Sequence, residues 1–486
     1  MRLALTLMVA SLAPAQTLSL DARNPHYFSY RGKPAVLITT AEHYGSALNL
    51  KFDYLRYLDE LQRNGFNLTR TFTGTYREDG TSGHGPSPLS PGRGEAEFST
   101  PWAWSDVKGG PEGRKFDLDR WNPAYFRRLK DFLRAAEERG VIVELVLFCR
   151  MYSDQLWRSS PLHPENSIAG DAWRGVKHTE FLTSANQALL ARQKAVTRKI
   201  VTELRDVPNV YFELANEPSP ERLDSDAARA LHTWHEAIAA EIVDAESGLP
   251  AGKRHLIAWN FHHAPGQGIG PIPKHVNVLN FHYLPRLAEA LAEYGQNKPI
   301  GFDETRWIAH PRYPQYRNTM TVDAGRVEAW EFFAGGGAVY SNLNHAYQVE
   351  DPAGQRPESQ AFKQQLAVLK RFLEQVDFVR MRQDRTVVAS GAANWRAISE
   401  AGRRYAIYLH HSSIADGRRS YLPSERATTV DLVLDLPAGQ YRIEWIQPST
   451  GRVLRTDQAP HTGGKLTLKR SPEHTADLAL RIQGMR

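Results

Sequence analysis

The chain has 486 residues, 41% of them hydrophobic, with a formal net charge of +6 and a pI near 9.2. That length accommodates two or three domains, and a composition this apolar supports a large core. Lys and Arg are scattered among Asp and Glu without a basic run, which argues against a nucleic-acid footprint, and the single cysteine, Cys149, rules out an intramolecular disulfide framework.

The first residues read as an export leader. Arg2 precedes an apolar stretch from Leu3 to Leu12, and Ala13-Pro14-Ala15 fits a small-residue cleavage site, so residues 1–15 are expected to be a signal peptide. No later apolar stretch reaches the ~20 residues a membrane-spanning helix needs. The expected product is an exported protein, periplasmic or extracellular, with no membrane span. Cys149 ends an apolar strand and reads as a packed thiol.

From residue 16 to about 376, strand and helix patterns alternate. Pro34–Thr40 reads as a buried strand running into Glu42, His43 and Tyr44. Phe52, Leu55, Leu58 and Leu61 recur at helical spacing, Gly65 stops that helix, and Phe66–Phe72 follows as a second strand with Arg70 near its end. Roughly fifty residues rich in Gly, Pro, Ser and Trp then lead to Trp121, a length that in a compact domain usually marks a functional loop. A helix through Phe126–Ala136 ends at Gly140, and Val141–Phe148 is a nearly continuous apolar strand. A second long loop carries Tyr152, Trp157, His163 and Trp173. The helix of Leu189, Val196, Ile200 and Leu204 then leads to a fourth strand at Val210.

A helix near Ala227–Val243 separates it from His255–Asn260. Val276–Tyr283 and Pro299–Glu304 are the sixth and seventh strands. A helix at Val322–Phe333 precedes the eighth, Gly337–Asn342, and a last helix spans Ser359–Gln375. This alternation predicts an α/β fold, a (β/α)₈ TIM barrel. From 377 to 486 the texture changes to short strand-like runs between turn residues, which predicts a small all-β sandwich domain.

The stretch Val210–Pro218 organises the rest. Its apolar run ends in Asn216 and Glu217, and Pro218 cannot extend a ladder. Both polar residues therefore stand at a strand's carboxyl end, where a barrel of this kind carries its chemistry. Glu304 closes the seventh strand on the opposite arc, so two carboxylates can face each other across the mouth. One held protonated and one ionised is the pairing that glycosidic bond cleavage requires. Arg70 can pair with one carboxylate and lower its pKa, and Tyr283 can donate to the same group. Asn216, His282 and His43 complete the polar lining. Tyr44, Trp259, Trp307 and the loop tryptophans offer faces on which sugar rings can stack.

Asn216-Glu217-Pro218 closing the fourth strand, with Glu304 closing the seventh, resembles clan A of the glycoside hydrolases, the cellulase- and mannanase-like retaining enzymes. Arg70 in Asn67-Leu68-Thr69-Arg70 and His282-Tyr283 on the sixth strand fit the same pattern. The resemblance, over about Pro34 to Gln375, implies Glu217 as acid/base and Glu304 as nucleophile. It implies Asn216 as the contact to the hydroxyl beside the anomeric carbon, and Arg70 and Tyr283 as supports of the nucleophile. It further implies carboxyl groups about 5–5.5 Å apart, a carbohydrate substrate and no cofactor or metal. Two departures stand out. The eighth strand's end, Val339-Tyr340-Ser341-Asn342-Leu343-Asn344-His345, lacks the stacking Trp of many clan members, and the usual His-x-Tyr appears as adjacent His282-Tyr283. The segment Tyr441–Trp445 with Pro448-Ser449-Thr450-Gly451 resembles collagen-binding-like β-sandwich modules.

Two other readings use the same residues. One is a non-catalytic carbohydrate-binding protein on this fold. The other is a metal-dependent sugar isomerase or hydrolase in which Glu42, His43, Glu217, His282, Asp303 and Glu304 ring a cation; no His-Glu-x-x-His spacing accompanies them.

Overall fold

The computed structural model describes residues 17–78, 87–218, 225–261, 269–284, 286–308, 319–414 and 420–485. The leader-like segment lies outside the described residues.

The described chain opens with a three-stranded antiparallel sheet of Ser19–Asp21, Asn24–Tyr30 and Lys33–Ala35. Arg31 and Gly32 both have positive φ, 52° and 73°, which is the backbone of a two-residue hairpin turn. Pro34 and Ala35 therefore belong to this hairpin, and the first barrel strand starts later than its apolar run suggested.

Eight strands form one parallel sheet: β1 (Leu37–Ala41), β2 (Leu68–Phe72), β3 (Ile142–Cys149), β4 (Val210–Asn216), β5 (Ile257–Phe261), β6 (Val278–His282), β7 (Ile300–Thr305) and β8 (Val339–Leu343). The ladder runs in chain order from β2 to β8, and β8 pairs with β1. Side chains and single backbone bonds bridge the remaining seam between β1 and β2. The Asn67 carboxamide accepts from Ile38 N (3.0 Å) and donates to Val36 O (2.8 Å). At the other end His43 O accepts from Phe72 N (3.0 Å) and Thr71 Oγ1 (3.2 Å). Every strand residue of this nearly closed barrel is buried, which is why the strands read as apolar runs and not as alternating ones.

The outer helices are α1 (Tyr54–Arg63), α2 (Pro123–Glu138), α3 (Gln187–Leu204), α4 (Ser225–Ala245), α5 (Ala288–Ala292), α6 (Val322–Ala334) and α7 (Pro357–Gln375). Asp53, Asn122, Asn186 and Thr321 cap four of them with side-chain oxygens on first-turn amides. Among the described residues no helix is long and apolar enough to cross a membrane. The long segment after β2 holds a hairpin of its own, Trp102–Lys108 paired with Arg114–Trp121. Trp102 is buried there and Trp104 packs on Phe116 at 4.2 Å.

Beyond α7, six antiparallel strands form one sheet and three form another. The two central strands of the larger sheet, Arg404–His410 and Asp477–Met485, alternate. Tyr405, Ile407, Leu409, Leu478 and Leu480 face the smaller sheet, while Ala406, Tyr408 and Ala479 join the barrel's own core. The module therefore packs directly on α6, where Trp330 stacks on Tyr408 at 5.6 Å.

Candidate active site

The carboxyl ends of β2, β4, β6 and β7 bring Arg70, Asn216, Glu217, His282, Tyr283, Asp303 and Glu304 together. Arg70 is fully buried and is the hub. Its Nη1 donates to Glu304 Oε2 (3.0 Å), and its Nη2 donates to Glu213 Oε1 (2.6 Å) and Asn216 Oδ1 (2.7 Å). Its Nε lies 3.1 Å from Asp303 Oδ2 and 4.0 Å from Glu144 Oε2. One guanidinium thus serves several buried carboxyls instead of the single partner expected from sequence.

Tyr283 donates from its hydroxyl to Glu304 Oε1. His282 places Nδ1 3.1 Å from Glu217 Oε1 and Nε2 3.4 Å from Asp303. Adjacent strand residues normally point oppositely, yet both of these face the carboxylates. The cause is a left-handed backbone at Tyr283, φ 48°, which turns its side chain back to the mouth. Arg306 Nη2 holds that turned peptide by donating to Tyr283 O (3.0 Å). Glu217 is also left-handed, φ 46°, and its amide donates to Asn260 Oδ1 (2.8 Å). Neither residue is glycine, so both positions carry local strain of the kind that collects at functional sites. On β7 a bulge does the same work. Asn280 and His282 of β6 pair with Gly301 and Glu304, leaving one extra residue that lets Asp303 and Glu304 both reach Arg70.

One carboxylate oxygen each of Glu217 and Glu304, with a His282 nitrogen, all lie within 4.8 Å of one another. Burial raises the Glu304 carboxyl above its ordinary value. His282 and Arg70 pull it down without cancelling the rise, and Glu217 adds to it. The sequence-based expectation that Arg70 lowers its partner's pKa holds for the sign of that one effect and not for the balance, because burial was not legible. For Asp303 the balance tips the other way: burial alone would raise it, but His282 and Arg70 hold it below the usual range. Burial works against charge on His282, but Asp303 and Glu304 outweigh it and raise the imidazole well above its ordinary value. His43 lies 3.6 Å from Glu304 through Nδ1, and burial, with Arg70 and His282, keeps its ring neutral.

Below the mouth lie two carboxyls that sequence reading missed. Burial pushes Glu213 up to about 7 and Glu144 well above the carboxylate range. Asn280 Nδ2 donates to both, at 2.5 Å to Glu144 and 2.9 Å to Glu213. The available signal was a glutamate inside each of two otherwise apolar strands. Glu144, Glu213 and Asp303 offer oxygens close enough for one cation, as do Glu217, His282 and Glu304. Arg70 already supplies positive charge to both groups. Glu42, offered in sequence as a ligand, instead accepts from the amides of Tyr44, Gly45 and Ser46 and from the Ser46 hydroxyl.

The aromatic candidates separate. Trp259 packs on Phe261 (5.2 Å) and on His235 of α4 (6.1 Å), away from the carboxylates, because its neighbour Asn260 takes the inward position. Trp307 lies on His345 at 4.5 Å, so an indole from beyond β7 covers the end of β8 where the sequence has no Trp. Trp157 and Trp173 are buried, donating to Val176 O and Leu162 O. Tyr44 stacks on Phe72 at 4.9 Å beside the mouth. Tyr152, named in sequence only as part of the second long loop and given no site role, reaches Glu217 Oε2 with its hydroxyl at 2.7 Å.

No protein-family model and no curated protein matches the chain. Among solved structures it is similar to a glycoside hydrolase of family 5 from Bacteroides vulgatus ATCC 8482, at 12% identity and a TM-score of 0.61, covering 96% of this chain and 94% of that one. It is also similar to a structure described as a glycoside hydrolase, at 13% identity and a TM-score of 0.59, covering 96% and 97%. The shared architecture extends over the barrel and the C-terminal sheets, and at such identities the likeness is one of fold.

Proposed function

We propose that the protein is a retaining glycoside hydrolase acting on O-glycosidic bonds of an oligo- or polysaccharide. The observation that carries this reading is the approach of Glu217 and Glu304 across the mouth, one oxygen of each within 4.8 Å of the other. Retaining enzymes hold their carboxyls about 5–5.5 Å apart, whereas inverting ones leave ~6.5–9.5 Å for a water.

In this reading Glu304 attacks the anomeric carbon. Its oxygens meet donors from Arg70 and Tyr283, which favour the ionised form a nucleophile needs. As the carbon–oxygen bond breaks, Glu217 gives a proton to the leaving oxygen. His282, charged between Asp303 and Glu217, stands within proton-transfer distance of Glu217. Water then enters, Glu217 takes its proton, and the glycosyl–Glu304 bond is hydrolysed. Trp307 and Tyr44 supply ring faces near the mouth. The leader-like residues 1–15 accord with a periplasmic or extracellular place of action. The same-fold likeness to glycoside hydrolases supports the reaction class.

The test is stereochemical. The purified protein, screened against aryl glycosides and plant and bacterial polysaccharides, should hydrolyse at least one class. Proton NMR of the first product should show the substrate's anomeric configuration kept. Inverted product would remove Glu304 as nucleophile, and no hydrolysis by protein of intact fold would favour a non-catalytic carbohydrate-binding role.

A further inference from the structure

Four side chains form a hydrogen-bond chain whose direction is set at one end. Arg70 has only donors, and its Nη2 reaches Asn216 Oδ1 at 2.7 Å. That contact orients the Asn216 carboxamide, so Nδ2 must point the other way, where it donates to the Tyr152 hydroxyl oxygen at 2.9 Å. With that contact made, the Tyr152 proton is directed to the remaining acceptor, Glu217 Oε2 at 2.7 Å. The second Nδ2 hydrogen of Asn216 faces Cys149 Sγ at 3.5 Å. A chain with one sense of donation polarises each link, so the positive end at Arg70 is felt at Glu217.

Tyr152 is held for this task. It follows β3, whose last residue Cys149 pairs in register with Asn216 of β4. Arg150 N donates to Asn216 O (3.1 Å), and Ser153 caps the short helix Asp154–Ser159. The loop is therefore pinned on both sides of Tyr152. The Arg150 guanidinium covers one face of the ring at 5.2 Å, and the residue as a whole is still 36% exposed.

We propose that Tyr152 is a further residue of the reaction: its phenol couples Glu217 to Arg70 through Asn216, holding the acid/base carboxyl oriented and favouring its ionised form, and its ring edge borders the bound sugar. This rests on the reading of Glu217 as acid/base. It also means that both Asn216 Nδ2 hydrogens are engaged before substrate arrives, so a sugar hydroxyl meets the Tyr152 phenol together with Asn216. Since Arg70 also donates directly to Glu304, one guanidinium biases both carboxylates. Among the described residues, Cys149 and Tyr76 on the β3 and β2 sides, His282 and Tyr283 after β6, and Glu304 on β7 also face Glu217. Tyr152→Phe leaves these in place.

Donation to a carboxylate lowers its pKa. In the full-length protein, Tyr152→Phe should therefore move the basic limb of the kcat/KM profile to higher pH by roughly one unit. The loss of rate should be larger for alkyl than for dinitrophenyl glycosides, because only the former need a proton on the leaving oxygen. A simple packing role would lower Tm and leave both readouts unmoved, and that result overturns the proposal. A second measurement needs no turnover. In protein carrying ¹³C-labelled glutamate, the Glu217 carboxyl resonance, assigned with Glu217→Gln, should titrate at higher pH in Tyr152→Phe than in wild type. An unchanged titration overturns the coupling whether or not the protein is a hydrolase. If Tyr152→Phe does not fold, 3-fluorotyrosine at 152 keeps the shape and strengthens the donor. Glu217 should then titrate lower, and no change would again refute the proposal.

Discussion

The His282 imidazole lies 3.1 Å from Glu217 through Nδ1, and Asp303 stands at 3.4 Å on its other nitrogen. A ring with a carboxylate on each nitrogen is held in its charged form. The raised pKa of His282 adds stability that is fully present below its unfolded value of about 6.5 and is lost as pH rises through the folded value. The lowered pKa of Asp303 works in the opposite sense: its contribution is present above about 3.9 and lost as pH falls through the folded value. His282→Gln should therefore cost about 2 kcal/mol between pH ~4 and ~6.5, and the difference should shrink in alkali. Thermal melts across pH 3–10 check this; a pH-independent difference would refute the charged pairing.

Glu304→Ala should lose on the order of 10³-fold or more in kcat while still binding substrate. The residue contributes chemistry and little packing, and Arg70 keeps Glu213, Asp303 and Asn216 as partners. Azide should restore part of the rate and appear in the product as a glycosyl azide. A variant with wild-type rate would end the assignment of Glu304.

Gly301 on β7 has no room for a side chain. An added Cβ would sit 2.1 Å from Asn280 Oδ1, and Asn280 is the amide that joins Glu144 to Glu213. Gly301→Ala should cost about 1–3 kcal/mol by overpacking. Because the shift disturbs the carboxyls under Arg70, activity should fall with it. Calorimetry alongside turnover tests the link: equal Tm with wild-type activity would show that the amide bridge tolerates movement.

The barrel strands were legible because both of their faces are buried, so each appeared as an apolar run ending in polar residues. Arg70, Asn216, Glu217 and Glu304 could be located by that rule alone. The placement of His282 and Tyr283 could not, because a positive φ on a tyrosine has no sequence signature. Alternation applied to Asn260 would have turned Trp259 outward. Glu144 and Glu213 were hidden by the apolar residues around them, although a lone charge inside such a run is itself a signal. Tyr152 lies in a loop without periodicity, and only the register of β3 against β4 brings it to Glu217. In the C-terminal module, Val453–His461 is an edge strand with no apolar alternation, so it carries no strand pattern in sequence.

Removal of the chain after Gln375 should leave every candidate catalytic residue in place and still destabilise the protein. The larger C-terminal sheet covers α6 with Ala406, Tyr408 and Ala479, which belong to the same apolar core as the barrel. Arg326 of α6 pairs with Asp477 through Nε (2.8 Å) and Nη2 (3.2 Å), and Tyr408 donates to the same carboxylate (2.8 Å). On the next turn Glu331 receives Arg396 (2.7 Å) and the Tyr421 hydroxyl. Truncation bares this face to water and strips Arg326 and Glu331 of those partners. The truncated protein is expected to aggregate or melt well below the full chain. Asp477→Asn isolates the ionic part: losing one partner of a buried pair costs about 3–5 kcal/mol, with Asp323 softening the loss because it also contacts Arg326. Denaturant titration of the full-length variant should show a lower midpoint with an unchanged pH optimum. If the truncated barrel stays monomeric, equally stable and fully active, the module is an independent appendage and the shared core carries no stability.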